Sequence, residues 1–120
     1  MPDSTIFIVD DDVYAAASLQ ALLQAFDFTS TVFHSAESFL ETYDGHTNGF
    51  LILDIRLRGM SGLELLKRLA ANGSPLNVVI VSGHADTYDR HQALEYGAVT
   101  ILDKPFPAEK LYEVLRETSC

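Results

Sequence analysis

Four large apolar residues, Phe50-Leu51-Ile52-Leu53, run without a break and stop on a carboxylate, Asp54. A strand with no polar alternation must be covered on both faces, the condition of a central strand in a parallel sheet. Its last residue then stands at the carboxyl edge of the sheet, where open α/β folds bind their ligands. A second run of the same kind, Val78-Val79-Ile80-Val81, ends on Ser82.

The remaining elements fall around these two. Residues 5–9 form a short β-rich run that ends in Asp10-Asp11-Asp12, and residues 29–34 alternate loosely as a second strand. With strands at 50–54, 77–82 and 99–103, the chain holds five. Between the first two, Ala15, Leu19, Leu22 and Phe26 recur at helical spacing over residues 13–26, with Asp12 placed to cap the helix. Ser35 caps a second helix, which carries Phe39, Leu40 and Tyr43. Ser61-Gly62-Leu63-Glu64 fits a capping box ahead of Leu65, Leu66 and Leu69, and Asn72-Gly73 ends that third helix. A fourth covers about 86–96 and stops at Gly97; Pro107 suits the first turn of a fifth, with Leu111, Val114 and Leu115. This βα alternation predicts a parallel sheet with helices on both faces. Within 120 residues it fits one flavodoxin-like (βα)5 domain, strand order 2-1-3-4-5, with a crevice between strands one and three.

Charge narrows the function. Acids outnumber bases 17 to 8, for a net charge of −9, against the basic footprint a nucleic-acid-binding domain needs. No apolar run approaches the roughly 20 residues of a membrane span. Met1-Pro2-Asp3-Ser4 lacks the basic region of a signal peptide. The one cysteine, Cys120, excludes a disulfide framework, so the expected compartment is the cytoplasm.

The strand ends bring Asp10, Asp11, Asp54, Ser82 and Lys104 to one edge of the sheet. Three carboxylates that close repel one another and raise at least one pKa. A divalent cation relieves this, and all-oxygen ligands suit Mg²⁺. A hydroxyl and an ammonium beside them can hold the oxygens of a phosphoryl group, which an aspartate can carry as an acyl phosphate. Singly, each residue has an ordinary explanation: acids favour a helix N-terminus, a serine ends a strand in a turn, and a lysine is solvated. Their common position, in order, is the specific signal.

These residues also carry a resemblance. Val9-Asp10-Asp11, Asp54-Ile55-Arg56-Leu57 with Met60-Ser61-Gly62, Ser82-Gly83-His84-Ala85-Asp86, Gly97-Ala98 and Lys104-Pro105-Phe106 resemble the receiver domain of bacterial two-component response regulators, end to end over residues 1–120. The Gly-His-Ala-Asp and Lys-Pro-Phe spellings are similar to the branch that precedes helix-turn-helix DNA-binding domains. The resemblance implies that Asp54 accepts a phosphoryl group from a sensor histidine kinase. It implies an Mg²⁺ bound by Asp11 directly, Asp10 mainly through water, Asp54, and the backbone carbonyl of Arg56. Ser82 becomes the switch hydroxyl, Lys104 the partner of the phosphoryl group with a cis Lys104-Pro105 bond, and Gly83 the residue that leaves Asp54 open to the kinase. The domain is then a switch with no substrate or catalytic residue of its own. It controls an output, expected to be transcription, through a DNA-binding domain not present in this chain, and the face of helix four, strand five and helix five is the expected homodimer surface.

Two positions depart from the family's usual pattern: Arg58 stands where proline is usual, and Ile101 where a tyrosine or phenylalanine often forms the second half of the switch. Three other readings fit these residues less well. A receiver-like interaction module independent of phosphorylation has no need of the intact Asp10, Asp11, Asp54, Ser82 and Lys104. A phosphohydrolase with an aspartate nucleophile usually needs an acid where Arg56 stands. A flavin-binding flavodoxin would have a Ser-, Thr- and Gly-rich loop in place of Asp10-Asp11-Asp12.

Overall fold

The structure, a computed structural model, describes residues 5–83 and 85–118. His84 of the Gly-His-Ala-Asp stretch, Cys120 and the first four residues lie outside the described residues. Ten elements alternate: β1 (Ile6–Val9), α1 (Val13–Ala25), β2 (Thr31–Phe33), α2 (Ala36–Thr42), β3 (Phe50–Asp54), α3 (Gly62–Ala71), β4 (Asn77–Ser82), α4 (Thr87–Glu95), β5 (Thr100–Asp103) and α5 (Ala108–Thr118). All neighbouring strands pair in parallel, in the order β2-β1-β3-β4-β5, as the alternation predicts.

β3 is central because its residues are apolar on both faces, and all five are buried. Leu51 and Leu53 face a layer formed with Phe39 of α2, Leu65 and Leu69 of α3, and Ala93 of α4. Phe50 and Ile52 face the opposite layer, with Leu23 of α1 and Leu111 and Leu115 of α5. Phe7, Phe33, Phe39 and Tyr43 pack ring to ring at one end of the first layer, with centroids 5.2 to 6.1 Å apart. β2 is an edge strand and shorter than the 29–34 expected, since only Thr31–Phe33 find partners on β1.

The helix starts follow the expected side chains. Asp12 accepts from the amides of Tyr14 and Ala15, Ser35 from Ser38, and Asp86 from Asp89. Ser61 accepts from Glu64 at 3.1 Å, which is one half of the capping box; the Glu64 carboxylate turns outward to Arg68. Pro107 precedes α5 rather than starting it, and its carbonyl accepts from Lys110. α4 has the polar sequence TYDRHQALE and buries only Ala93. Both of its adjacent charged residues are paired: Asp89 with Arg56 at 3.6 Å, and Arg90 with Asp103.

The start of α3 is pressed against the end of β3. The Gly62 amide donates to the Ile55 carbonyl at 3.1 Å, and a Cβ on Gly62 would stand 2.4 Å from the Asp54 carbonyl oxygen. Only glycine permits that approach.

Candidate functional site

Parallel pairing sets the register that gathers the site. Val9 lies beside Leu53, Asp54 beside Val81, and Ser82 beside Asp103. Asp10 follows β1 at this edge, Asp54 and Ser82 end β3 and β4, and Lys104 follows β5, its amide donating to the Ser82 carbonyl at 2.8 Å.

The Lys104 ammonium stands between two of the carboxylates, 3.4 Å from Asp54 Oδ2 and 3.5 Å from Asp10 Oδ2. The remaining oxygens are held by the backbone: Asp10 Oδ1 accepts from Asp12 N at 2.9 Å, and Asp54 Oδ1 accepts from Arg56 N at 3.0 Å. Burial pushes the Asp10 carboxyl up from its ordinary value, and the nearby Asp54 charge adds to this; the Asp12 amide and Lys104 oppose it. Asp10, Asp54 and Ser82 are the buried polar residues of the domain among those described. The Lys104-Pro105 bond is cis, as the resemblance implied.

Asp11 does not join this group. Its Oδ2 accepts from the Arg58 amide at 2.9 Å, with Arg58 Nε 4.0 Å away. Among the described residues no three acidic, histidine or cysteine side chains stand close enough together to hold an ion. Of the three carboxylates expected together, Asp10 and Asp54 converge on Lys104 and Asp11 is tied to the β3–α3 loop. The donor chemistry still suits Mg²⁺: two carboxylates share one ammonium, a third is within one residue, and the oxygen set is hard. The cost of burying Asp10 charged, expressed in its raised pKa, is what a cation would relieve.

Gly83 is exposed at the rim, and a Cβ there would meet nothing among the described residues within 4 Å. Ile101 lies half-buried beside Ile80 and packs against the layer of α2, α3 and α4. Sequence reasoning missed two residues that shape the site. Glu37 of α2 accepts from the Met60 amide at 3.0 Å, which holds the β3–α3 loop and lowers the Glu37 pKa. Asp89 of α4 holds the Arg56 side chain. Neither has a local signal, since each acts across more than 20 residues of chain.

A doubly wound five-stranded sheet with an acid pair and a lysine at its carboxyl edge defines the class. The sequence profile of the response regulator receiver domain matches residues 6–116, and the chain belongs to that family. It is similar to the transcriptional regulatory protein FixJ of Bradyrhizobium diazoefficiens, 39% identical over 106 residues that cover 88% of this chain and 52% of the relative. It is 35% identical to the response regulator protein TmoT of Ectopseudomonas mendocina over 114 residues, 95% of this chain and 52% of the relative. The chain thus spans about half the length of the curated relatives it matches. Among solved structures, that of FixJ-N superposes with a TM-score of 0.90 at 34% identity, over 99% of this chain and 95% of the other. The response regulator StyR gives 0.88 at 34% identity, over 97% and 59%. Among the described residues no helix is long and apolar enough to cross a membrane.

Proposed function

We propose that this receiver domain takes a phosphoryl group onto Asp54 from the phosphohistidine of a sensor kinase and passes the event to an output as a change of conformation. The observation that carries the reading is the position of the Lys104 ammonium, 3.4 Å from Asp54 and 3.5 Å from Asp10. In the step itself an Asp54 oxygen attacks phosphorus, the P–N bond to the kinase histidine breaks, and the imidazole leaves with its electron pair. Arg56 N, bonded to Asp54 Oδ1, orients the carboxylate. Lys104 pairs with the phosphoryl oxygens as they take up charge. Ser82, buried at the end of β4, is the switch hydroxyl, and Gly83 leaves the approach open.

Asp10, Asp11, Asp54 and the Arg56 carbonyl would hold Mg²⁺. Bound there, the cation supplies neutralisation of charge on the phosphoryl oxygens during transfer. The domain has no substrate of its own in this reading: residues 1–120 act as one switch, in the cytoplasm, where the kinase donor and DNA both lie. Curated relatives carry the name of transcriptional regulators, which supports control of transcription through a DNA-binding domain outside this chain. A homodimer through the α4–β5–α5 face is supported by the exposed Tyr88 and Leu94 of α4 and Val99 just before β5.

The test is phosphoryl uptake from a labelled phosphohistidine kinase. Wild type takes up label with Mg²⁺ and loses that ability in EDTA, and Lys104→Ala is slower. Equal uptake by Asp54→Asn would overturn the reading.

A further inference from the structure

The bond between Asp11 and residue 58 links the β1–α1 loop to the β3–α3 loop across 47 residues of chain. It has two components of unequal strength. The Arg58 amide donates to Asp11 Oδ2 at 2.9 Å, a charge-assisted hydrogen bond from a fixed main-chain donor. The guanidinium stands 4.0 Å away on a side chain that is 96% exposed, so its attraction is screened and weak. Asp10 points the other way, with a side chain 3% exposed and its Oδ2 toward Lys104. The carboxylate nearest to completing a three-acid site is therefore committed elsewhere. Mg²⁺ demands short bonds in a near-ideal octahedron. A carboxylate with one oxygen bound to a loop amide has only the other oxygen to offer, in an orientation set by that loop.

We propose that Arg58 is a positioning residue that withholds Asp11 from the cation: its backbone N–H, aided by the guanidinium, holds the carboxylate against the β3–α3 loop, and cation binding proceeds by release of that bond. The inference rests on the reading of Asp10, Asp11 and Asp54 as the Mg²⁺ site. It makes the affinity for the cation depend on whether residue 58 has an amide proton, which proline lacks.

Mg²⁺ is titrated by calorimetry into the wild type, Arg58→Ala, Arg58→Pro and Asp11→Ala, with urea unfolding in EDTA run on each. Arg58→Ala keeps the amide and loses the charge, so its dissociation constant should lie within about twofold of wild type. Arg58→Pro loses both and should bind about fivefold more tightly than Arg58→Ala, the equivalent of one net hydrogen bond. Any general effect of losing a cation is common to the two variants and cancels in that comparison. A measurement on the wild type alone stands beside it in case the proline variant does not fold. Exchange of the Arg58 amide proton with water should quicken on saturation with Mg²⁺, as the bond is released. Equal affinities of the two Arg58 variants, or an Arg58 amide indifferent to saturating Mg²⁺, overturn the inference alone. Binding that is the same in Asp11→Ala as in the wild type overturns the reading of the metal site, and the inference with it.

Discussion

Gly62→Ala tests how tightly the site is built into the fold. A Cβ there would lie 2.4 Å from the Asp54 carbonyl oxygen, 2.7 Å from the Ile55 Cα and 3.2 Å from the Asp54 carbonyl carbon. Comfortable contacts are about 3.5 Å or more, so α3 and the end of β3 must separate by roughly 1 Å. No flexible side chain can yield instead, because all three atoms are backbone, and Asp54 ends a strand buried throughout. Overpacking of this kind costs about 1–3 kcal/mol. Alanine's better helix propensity returns at most about 1 kcal/mol, and less at the first residue of a helix. The expected net loss is about 1–2 kcal/mol. Urea unfolding of the variant and the wild type gives the difference directly, provided the slope is unchanged. Gly83→Ala is the control: a Cβ there meets nothing among the described residues within 4 Å, so its stability should stay within about 0.5 kcal/mol of wild type. A Gly62→Ala protein as stable as wild type, or a Gly83→Ala protein equally damaged, would show that the close approach at Gly62 does not limit this position.

Three further outcomes follow from other parts of the molecule. Phe39→Ala should lose about 3–5 kcal/mol by the same unfolding assay, because the ring is fully buried and packed against Phe7, Phe33 and Tyr43. The Asp44 carboxylate accepts from the amides of His46 and Thr47 and from the Thr47 hydroxyl, which lowers its pKa from 3.8 to about 2. Its contribution to stability is therefore present above pH 3.8 and lost as pH falls through about 2, so the stability gap between wild type and Asp44→Ala should close over that window; a constant gap contradicts it. Ile101 is β-branched and stiff at χ1, so beryllofluoride should promote dimerisation only modestly in the wild type, and Ile101→Phe should change that dependence in sedimentation. A complete monomer-to-dimer transition that is identical in both proteins would count against it.

β3 and β4 have the bounds the residues predict, because an unbroken apolar run ending on Asp54 or Ser82 leaves no choice of face or end. The edges were less legible. Thr29, Ser30 and His34 have strand-compatible spacing, yet they lie outside β2, whose one neighbour is a four-residue β1. For the site, strand ends were enough to place Asp10, Asp54, Ser82 and Lys104 on one edge, since parallel topology fixes that edge. The direction of Asp11 was not legible. It depends on an amide 47 residues away, and nothing in Asp10-Asp11-Asp12 distinguishes the acid that turns inward from the one that turns to the loop. Glu37 and Asp89 were hidden for the same reason: their partners are set by packing between layers.

The proposed function stands or falls on Asp54 as the residue that carries the phosphoryl group. The most direct measurement incubates the protein with a small-molecule phosphodonor and Mg²⁺, traps the acyl phosphate by reduction, and locates the modified residue by peptide mass spectrometry. Modification is expected at Asp54 alone, lost in EDTA and absent from Asp54→Asn. Modification at Asp10 or Asp11 in the wild type, or an adduct formed at wild-type rate on Asp54→Asn, would contradict it.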